Sequence, residues 1–346
     1  MNGKIERVVL LIGALFSVFL FTGCASSSVN SGDPAAKTAG KAITIKLGTP
    51  NASGNMGGIA GIANEKGFIA EELEQLGYTF EVVGFAGAGP AVNEALIGGS
   101  IDYAILADFP AITAKAKGVD TTLIAIENSL SNCALAVSPK ASYQRIEDLV
   151  GKKIAIPKGT YMQRFFVLLV EEKGLSEKDF EIIQMTNDME SALISGSVDA
   201  ILFTSDNINK CVHINKTARI IENTLDYPEY SGQSLFVGRT KSVDEHPQAA
   251  AAILKGLLRA VDYALENPEE AAGVLAAAGS SSNEVIEATY GFAGEGAGER
   301  YILELTDGSR QKLDRTKTFL LEHGLIANDF NISDWYRPIN IITPTR

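Results

Sequence analysis

The sequence predicts an α/β protein built as two similar lobes with a ligand cleft between them, and three observations carry that expectation. At 346 residues the chain is about twice the length of a typical domain. From Ile43 onward, short β-rich runs alternate with amphipathic segments, the pattern of parallel sheets covered by helices. Residues 95–102, Ala-Leu-Ile-Gly-Gly-Ser-Ile-Asp, return 97 residues later as Ala-Leu-Ile-Ser-Gly-Ser-Val-Asp at 192–199, the mark of an internal repeat.

Composition supports a folded chain and narrows its partners. Hydrophobic residues make up 46% and charged residues 21%, enough apolar material for a real core and too little charge for wholesale disorder. Thirty Lys plus Arg stand against 42 Asp plus Glu, a formal charge of -12 with no long basic run. Nucleic acid is therefore not an expected partner.

The first 23 residues read as an address. Lys4 and Arg7 precede an apolar run, Val8 to Leu20, of 13 residues, too short for the ~30 Å hydrocarbon layer of a bilayer. Phe21-Thr22-Gly23-Cys24 then resembles the bacterial lipobox, although Phe21 replaces its usual Leu. That resemblance implies a lipoprotein signal peptide over 1–23 and fatty acylation, palmitate included, at Cys24. Residues 24–42, rich in Ser, Ala and Gly, suit a flexible tether. Cutting before Cys24 removes Lys4, Glu6 and Arg7, a net +1, which takes the charge from -12 to -13. The expected location is extracytoplasmic, at the bacterial membrane. Cys133 and Cys211 remain, as two buried thiols or as a bridge.

Strands are expected at Ile43 to Leu47, Tyr78 to Val83, Asp102 to Leu106, Thr121 to Ile126, Ala134 to Val137, Lys153 to Ile156, Phe180 to Met185, Val198 to Phe203, Ala218 to Ile221 and Leu235 to Val237. Between many of them lie helical patterns: Ile59 to Leu76, Ala91 to Ile97, Tyr161 to Lys173 and Met189 to Ile194. After Val237 the chain turns almost wholly helical, over His246 to Leu265, Pro268 to Ala278, Asn283 to Phe292 and Arg310 to His323. Open parallel sheets bind ligands beyond the C-terminal ends of their strands. Two such lobes facing each other would bind between them.

Several stretches resemble a known family. Val83-Gly84-Phe85-Ala86-Gly87-Ala88-Gly89-Pro90 with Glu94 to Tyr103, Ile146 to Thr160, Ser195 to Ala200, and Gly324-Leu325-Ile326 before Ser333-Asp334-Trp335 resemble the ABC-transporter solute-binding proteins for aliphatic sulfonates, taurine, nitrate and thiamine-pyrimidine precursors. The resemblance implies a periplasmic binding protein type II fold that closes on its solute by a hinge. Lobe 1 would take 43–131 and 240–346, and lobe 2 would take 132–239. It also implies an ABC permease and its ATPase as partners, a monomer, and no cofactor.

Four segments are expected to line the cleft. Ser53, Gly54, Asn55 and Met56 leave the first strand and open a helix whose amides could hold an anionic head, unless this is only a solvated, capped loop. Gly89 and Pro90 sit at a glycine-rich helix start that fails the dinucleotide motif, since Val92 occupies its third glycine position. Thr160, Tyr161 and Met162 begin a helix after a strand; Thr160 reads as a cap or as a hydroxyl for a sulfonate or carboxylate, and Tyr161 as a stacking or a packing ring. The strand-end acids Asp108, followed by Phe109, and Asp206, preceded by Ser205, read as caps or as acceptors for N–H groups. Asn132 at the first crossover completes the set.

His213, His246 and His323 are scattered without metal-ligand spacing, and neither a Gly-x-Ser-x-Gly elbow nor a His-Glu-x-x-His motif occurs. Solute binding rather than catalysis is expected. The expected solute is an alkanesulfonate, taurine or a related anion. A nitrogen-containing solute such as a thiamine-pyrimidine precursor, or a sensor subunit presenting its ligand to a receptor, stands as the alternative.

Overall fold

All ten expected strands form. The computed structural model describes residues 42–340, so the signal segment, the tether up to Lys41 and Cys24 lie outside the described residues. The first sheet contains β1 (Ile43–Thr49), β2 (Tyr78–Gly84), β3 (Tyr103–Ala107), β4 (Thr121–Ser131) and β10 (Gly232–Arg239). The second contains β5 (Cys133–Val137), β6 (Lys153–Ile156), β7 (Glu181–Gln184), β8 (Ala200–Thr204) and β9 (Arg219–Asn223).

Strand order makes the internal repeat visible. The sheets read β2-β1-β3-β10-β4 and β7-β6-β8-β5-β9, the same arrangement with the chain entering at different points. In each, three parallel strands abut one strand that runs antiparallel to both neighbours, β10 in the first and β5 in the second. The sheets are thus mixed, not wholly parallel as the alternation alone suggests. One expected boundary also moves: 232–239, placed in lobe 2 by the sequence, hydrogen-bonds into the first sheet. The second crossover therefore lies between β9 and β10, while the first is the short link from β4 to β5.

The helices are α1 (Gly58–Glu65), α2 (Phe68–Glu74), α3 (Ala88–Gly98), α4 (Asp108–Ala116), α5 (Tyr161–Glu172), α6 (Met189–Ser195) and α7 (Ser205–Asn209). The C-terminal half adds α8 (Thr240–Glu245), α9 (Pro247–Glu266), α10 (Pro268–Ala278), α11 (Asn283–Tyr290), α12 (Ala297–Arg300), α13 (Asp307–Glu322) and α14 (Ile332–Trp335). The single helix expected over Ile59 to Leu76 is broken into α1 and α2 at Gly67, whose φ of 73° is left-handed. The repeated motif ends α3 and α6 alike, on left-handed Gly99 and Gly196.

Of three apolar clusters among the described residues, two lie within single lobes and one spans both. Phe109, Phe319 and Trp335 pack in one continuous apolar cluster with Phe165, Phe166 and Leu202 of the second lobe. Each such buried side chain is worth ~1.5–3 kcal/mol, so the two lobes share a substantial apolar contact. Cys133 and Cys211 are both buried and unpaired.

Candidate functional site

The C-terminal ends of the parallel strands of both sheets converge on one cavity of about 550 Å³. The first lobe contributes Thr49 at the end of β1, Asn51 and Asn55 beyond it, Gly89 and Ala107 at the end of β3, together with Tyr290 of α11. The second contributes Pro157 after β6, Thr160, Tyr161 and Met162 of the α5 start, Asn187 and Asp188 after β7, and Thr204 and Asp206 after β8. Two recesses of about 210 and 280 Å³ adjoin it, and Asp206 and Tyr290 border all three spaces. A larger groove of about 720 Å³ lies elsewhere, between α3, α4 and Arg239. It takes only Gly159 from the second lobe and misses the strand ends, so the cleft is the better candidate.

The expected residues divide into three groups. Asn55, Gly89, Thr160, Tyr161, Met162 and Asp206 line the main cavity. Ser53 and Met56 reach the recess beside Lys210, and Asn132 and Ser205 reach the one beside Glu127. Gly54, Pro90, Asp108 and Phe109 line none of these spaces. Gly54 makes a turn at φ 78° with its amide on the Asn51 carbonyl. Pro90 faces the outer groove, and Phe109 is core against Phe319.

Asp108 is the most instructive correction. Its side chain is fully buried, one oxygen accepting the Phe109 amide at 2.8 Å and the other the Thr316 hydroxyl at 2.9 Å. The Arg164 guanidinium lies 3.9 Å away. This carboxylate is spent on a buried ion pair, behind the cleft. Asp206, at the matching strand end of the second lobe, stays in the cleft, where Oδ1 accepts the Thr204 hydroxyl at 2.5 Å. Neither acid caps its helix: the cap positions are Ala107 and Thr204, without side-chain cap bonds.

The capping readings fail at Thr160 too, whose hydroxyl donates to the Pro157 carbonyl at 2.6 Å instead of capping α5. Tyr161 is held by a 3.1 Å bond from its hydroxyl to the Asn132 carbonyl, which fixes its ring where it lines the cavity. The Asn132 amide oxygen accepts the Thr224 hydroxyl at 3.0 Å. Ser53 Oγ is tied to Asn51 Oδ1 at 3.0 Å. The helix start beyond it, expected to receive an anion, is already met by a carboxyl group of the chain: Glu127 Oε1 accepts the Ala60 amide of α1 at 3.1 Å.

Sequence reasoning missed Tyr290, Glu127, Asp188 and Arg300. Tyr290 overhangs Gly57 so closely that a Cβ there would stand 1.9 Å from its hydroxyl oxygen. The adjacent Gly57 and Gly58 were the only sequence sign of such an approach. Burial pushes the Tyr290 phenol well above its ordinary range and raises the Glu127 carboxyl. Arg300 is fully engaged, its guanidinium donating to Asn128 Oδ1 at 2.9 Å and to the carbonyls of Tyr290 and Leu130 at 2.6 and 2.8 Å. Across the cleft, Asn209 donates to Thr289 at 3.1 Å and Lys210 to the Gly279 carbonyl at 3.0 Å, so side chains of both lobes meet beside the cavity.

Two α/β lobes of one topology, crossed twice by the chain and enclosing a cavity at their strand ends, define the class of periplasmic binding protein folds. The chain belongs to the family described as NMT1/THI5 like, which matches residues 58–271. A putative aliphatic sulfonates-binding protein of Bacillus subtilis is 28% identical over 228 residues, 65% of this chain and 68% of that one. The taurine-binding periplasmic protein of Escherichia coli is 21% identical over 70% of this chain and 79% of its own length. Among solved structures, the alkanesulfonate-binding protein SsuA from Xanthomonas axonopodis pv. citri, bound to MOPS, superposes with a TM-score of 0.71 at 19% identity, over 88% of this chain and all of that one. The desulfurization enzyme DSZB also shares the fold, at 16% identity and a TM-score of 0.66.

Proposed function

We propose that this protein is the extracytoplasmic solute-binding component of an ABC importer, anchored by a lipid on Cys24 and working as a monomer that delivers a small organic solute to a permease and its ATPase. The observation that carries the reading is the 550 Å³ cavity walled by strand ends and helix starts of both lobes, a size suited to a small ligand held on several sides. Relatives named for sulfonate and taurine binding support the same class. The solute-binding names of these relatives support binding rather than turnover.

The chemistry of the wall favours a solute with two kinds of end. The start of α5, twelve residues long, offers its first-turn amides to a sulfonate, while the Thr160 hydroxyl braces that turn through the Pro157 carbonyl. Asp206, facing all three spaces, suits an ammonium or another N–H donor. A taurine-like zwitterion satisfies both. A specific observation favours the second reading, a nitrogenous solute without an acidic head: Asp188 and Asp206 are the only charged side chains lining the main cavity among the described residues.

Thermal unfolding with added taurine, alkanesulfonates, nitrate and aminopyrimidines tests the class. A ligand at ~100 times its Kd stabilises by about 2.7 kcal/mol, so the true class should raise the transition by several degrees. No shift with any of them would overturn the solute assignment. Incorporation of labelled palmitate, lost in Cys24→Ala, tests the anchor.

A further inference from the structure

A buried arginine and a half-buried lysine meet at the crossovers, where neither touches the cavity. Arg164 of α5, in the second lobe, donates from Nη2 to the carbonyls of Ser231 at 2.6 Å and Tyr230 at 3.3 Å, both at the end of the second crossover. Lys312 of α13, a helix packed on α4 of the first lobe, donates to the Ser129 carbonyl near the end of β4 and to the Ser231 hydroxyl, each at 3.0 Å. One residue, Ser231, thus accepts from both. Thr316, one turn beyond Lys312, joins the two by accepting from Arg164 and donating to Asp108.

The cost of this arrangement argues against accident. Arg164 is 1% exposed and Asp108 is 0% exposed, and burying charge demands compensation. Asp108 is the carboxylate paired with Arg164, and Arg164 Nε is buried without a partner among the described residues. The same helix turn that carries Arg164 carries Tyr161 and Met162, which line the cavity. Tyr161 is itself tied to the first crossover through Asn132. Wherever Arg164 is held, the second-lobe wall of the cleft is held.

We propose that Arg164 and Lys312 are positioning residues of the solute cleft: gripping the crossovers from opposite lobes, they fix the angle between the lobes and so the spacing of Tyr161 and Thr160 from Asn51 and Asn55. They act through the backbone of the hinge and touch no solute. The inference rests on the cleft being the solute site, but its consequence, the interlobe angle, exists without solute.

A pulsed electron paramagnetic resonance measurement of the full chain without solute tests it, with spin labels at Glu74→Cys and Lys178→Cys, exposed positions in the two lobes, in a Cys24→Ser background. Lys312→Met and Arg164→Lys should displace or broaden the interlobe distance distribution, and Arg310→Met, on the outer face of the same helix, should leave it unchanged. Wild-type distances that are identical in both folded hinge variants would overturn the proposal.

A second arm needs no hinge substitution. Burial pushes the Lys312 ammonium down to about 8, with Asp108, Arg164, Arg315 and Arg300 as the charged groups acting on it. Raising the pH from about 7 to about 9.5 removes its charge and weakens its two bonds. The wild-type distribution should then broaden, and that of Lys312→Met should not respond. If the hinge variants fail to fold, a wild-type distribution that is unchanged across this range overturns the proposal. Altered distances in a protein that binds none of the tested solutes would fault the solute class and leave the hinge assignment standing.

Discussion

Asp102 and Asp199 make the same contact in the two lobes. Each carboxylate accepts the backbone amide of a lysine on the neighbouring strand at 3.0 Å, Lys46 for Asp102 and Lys153 for Asp199. Each lysine in turn faces a glutamate across the parallel register, Glu81 at 3.6 Å and Glu181 at 3.9 Å. The aspartate that closes each copy of the repeated motif is therefore a pin between helix end and strand, not a cleft residue.

Loss of either pin should destabilise without touching the solute site. Hydrogen bonds to charged groups contribute about 1.5–3 kcal/mol. Each aspartate also accepts a hydroxyl, but Asp102→Ala should cost more than Asp199→Ala, because the Ser242 bond to Asp102 at 3.0 Å is shorter than the Tyr143 bond to Asp199 at 3.3 Å, and the amide bond of Asp102 is partly buried whereas that of Asp199 is exposed. Urea unfolding of the single variants and the double variant should show additive losses, since the pins lie in separate lobes.

Gly57 should tolerate no side chain. With a Cβ 1.9 Å from the Tyr290 hydroxyl, Gly57→Ala must drive the ring from the wall shared by all three spaces, and solute affinity should fall by about tenfold or more. Truncation in Gly57→Ala, Tyr290→Ala should remove the clash. Unchanged affinity in the single variant would show that Tyr290 does not shape the site.

Glu127 carries a pH dependence of known sign. Its carboxyl is raised by burial, so the folded chain holds this proton more tightly than the unfolded chain. The stabilisation it contributes is present below the unfolded value of 4.5 and fades as pH rises through the raised value. Glu127→Gln keeps an oxygen for the Ala60 amide and removes the fade. Its stability relative to wild type should therefore rise with pH across the acidic range in urea titrations.

Much of the fold was legible because it rests on local chemistry. Ten short apolar runs became ten strands, and a short repeat foretold two sheets of one order. What could not be read was set by distant partners. Asp108 and Asp206 follow matching strands and look alike in sequence, but Arg164 from the opposite lobe claims the first. Tyr290 enters the site from a C-terminal helix far from any strand end. Leu235 to Val237 read as a strand, yet nothing local says which sheet it joins, because an antiparallel crossover strand suits either.

Thr160 and Asp206 separate the two solute readings. Thr160→Val removes the hydroxyl bond to the Pro157 carbonyl that braces the α5 amides, and Asp206→Asn removes the acceptor charge. A taurine-like solute should lose affinity in both: by roughly the 1.5–3 kcal/mol of a charged hydrogen bond in Asp206→Asn, and by about 1 kcal/mol in Thr160→Val, where only the brace behind the amides is lost. A purely nitrogenous solute should suffer from Asp206→Asn alone.

Calorimetric titration of the full chain with taurine, repeated on Asp206→Asn, tests the central claim that a small solute is held between the lobes. The account predicts saturable one-to-one binding to the wild type with clearly weaker binding to the variant. Binding of equal strength to both would contradict it, because a solute seated in the cleft cannot be indifferent to the one carboxylate that borders all three of its spaces.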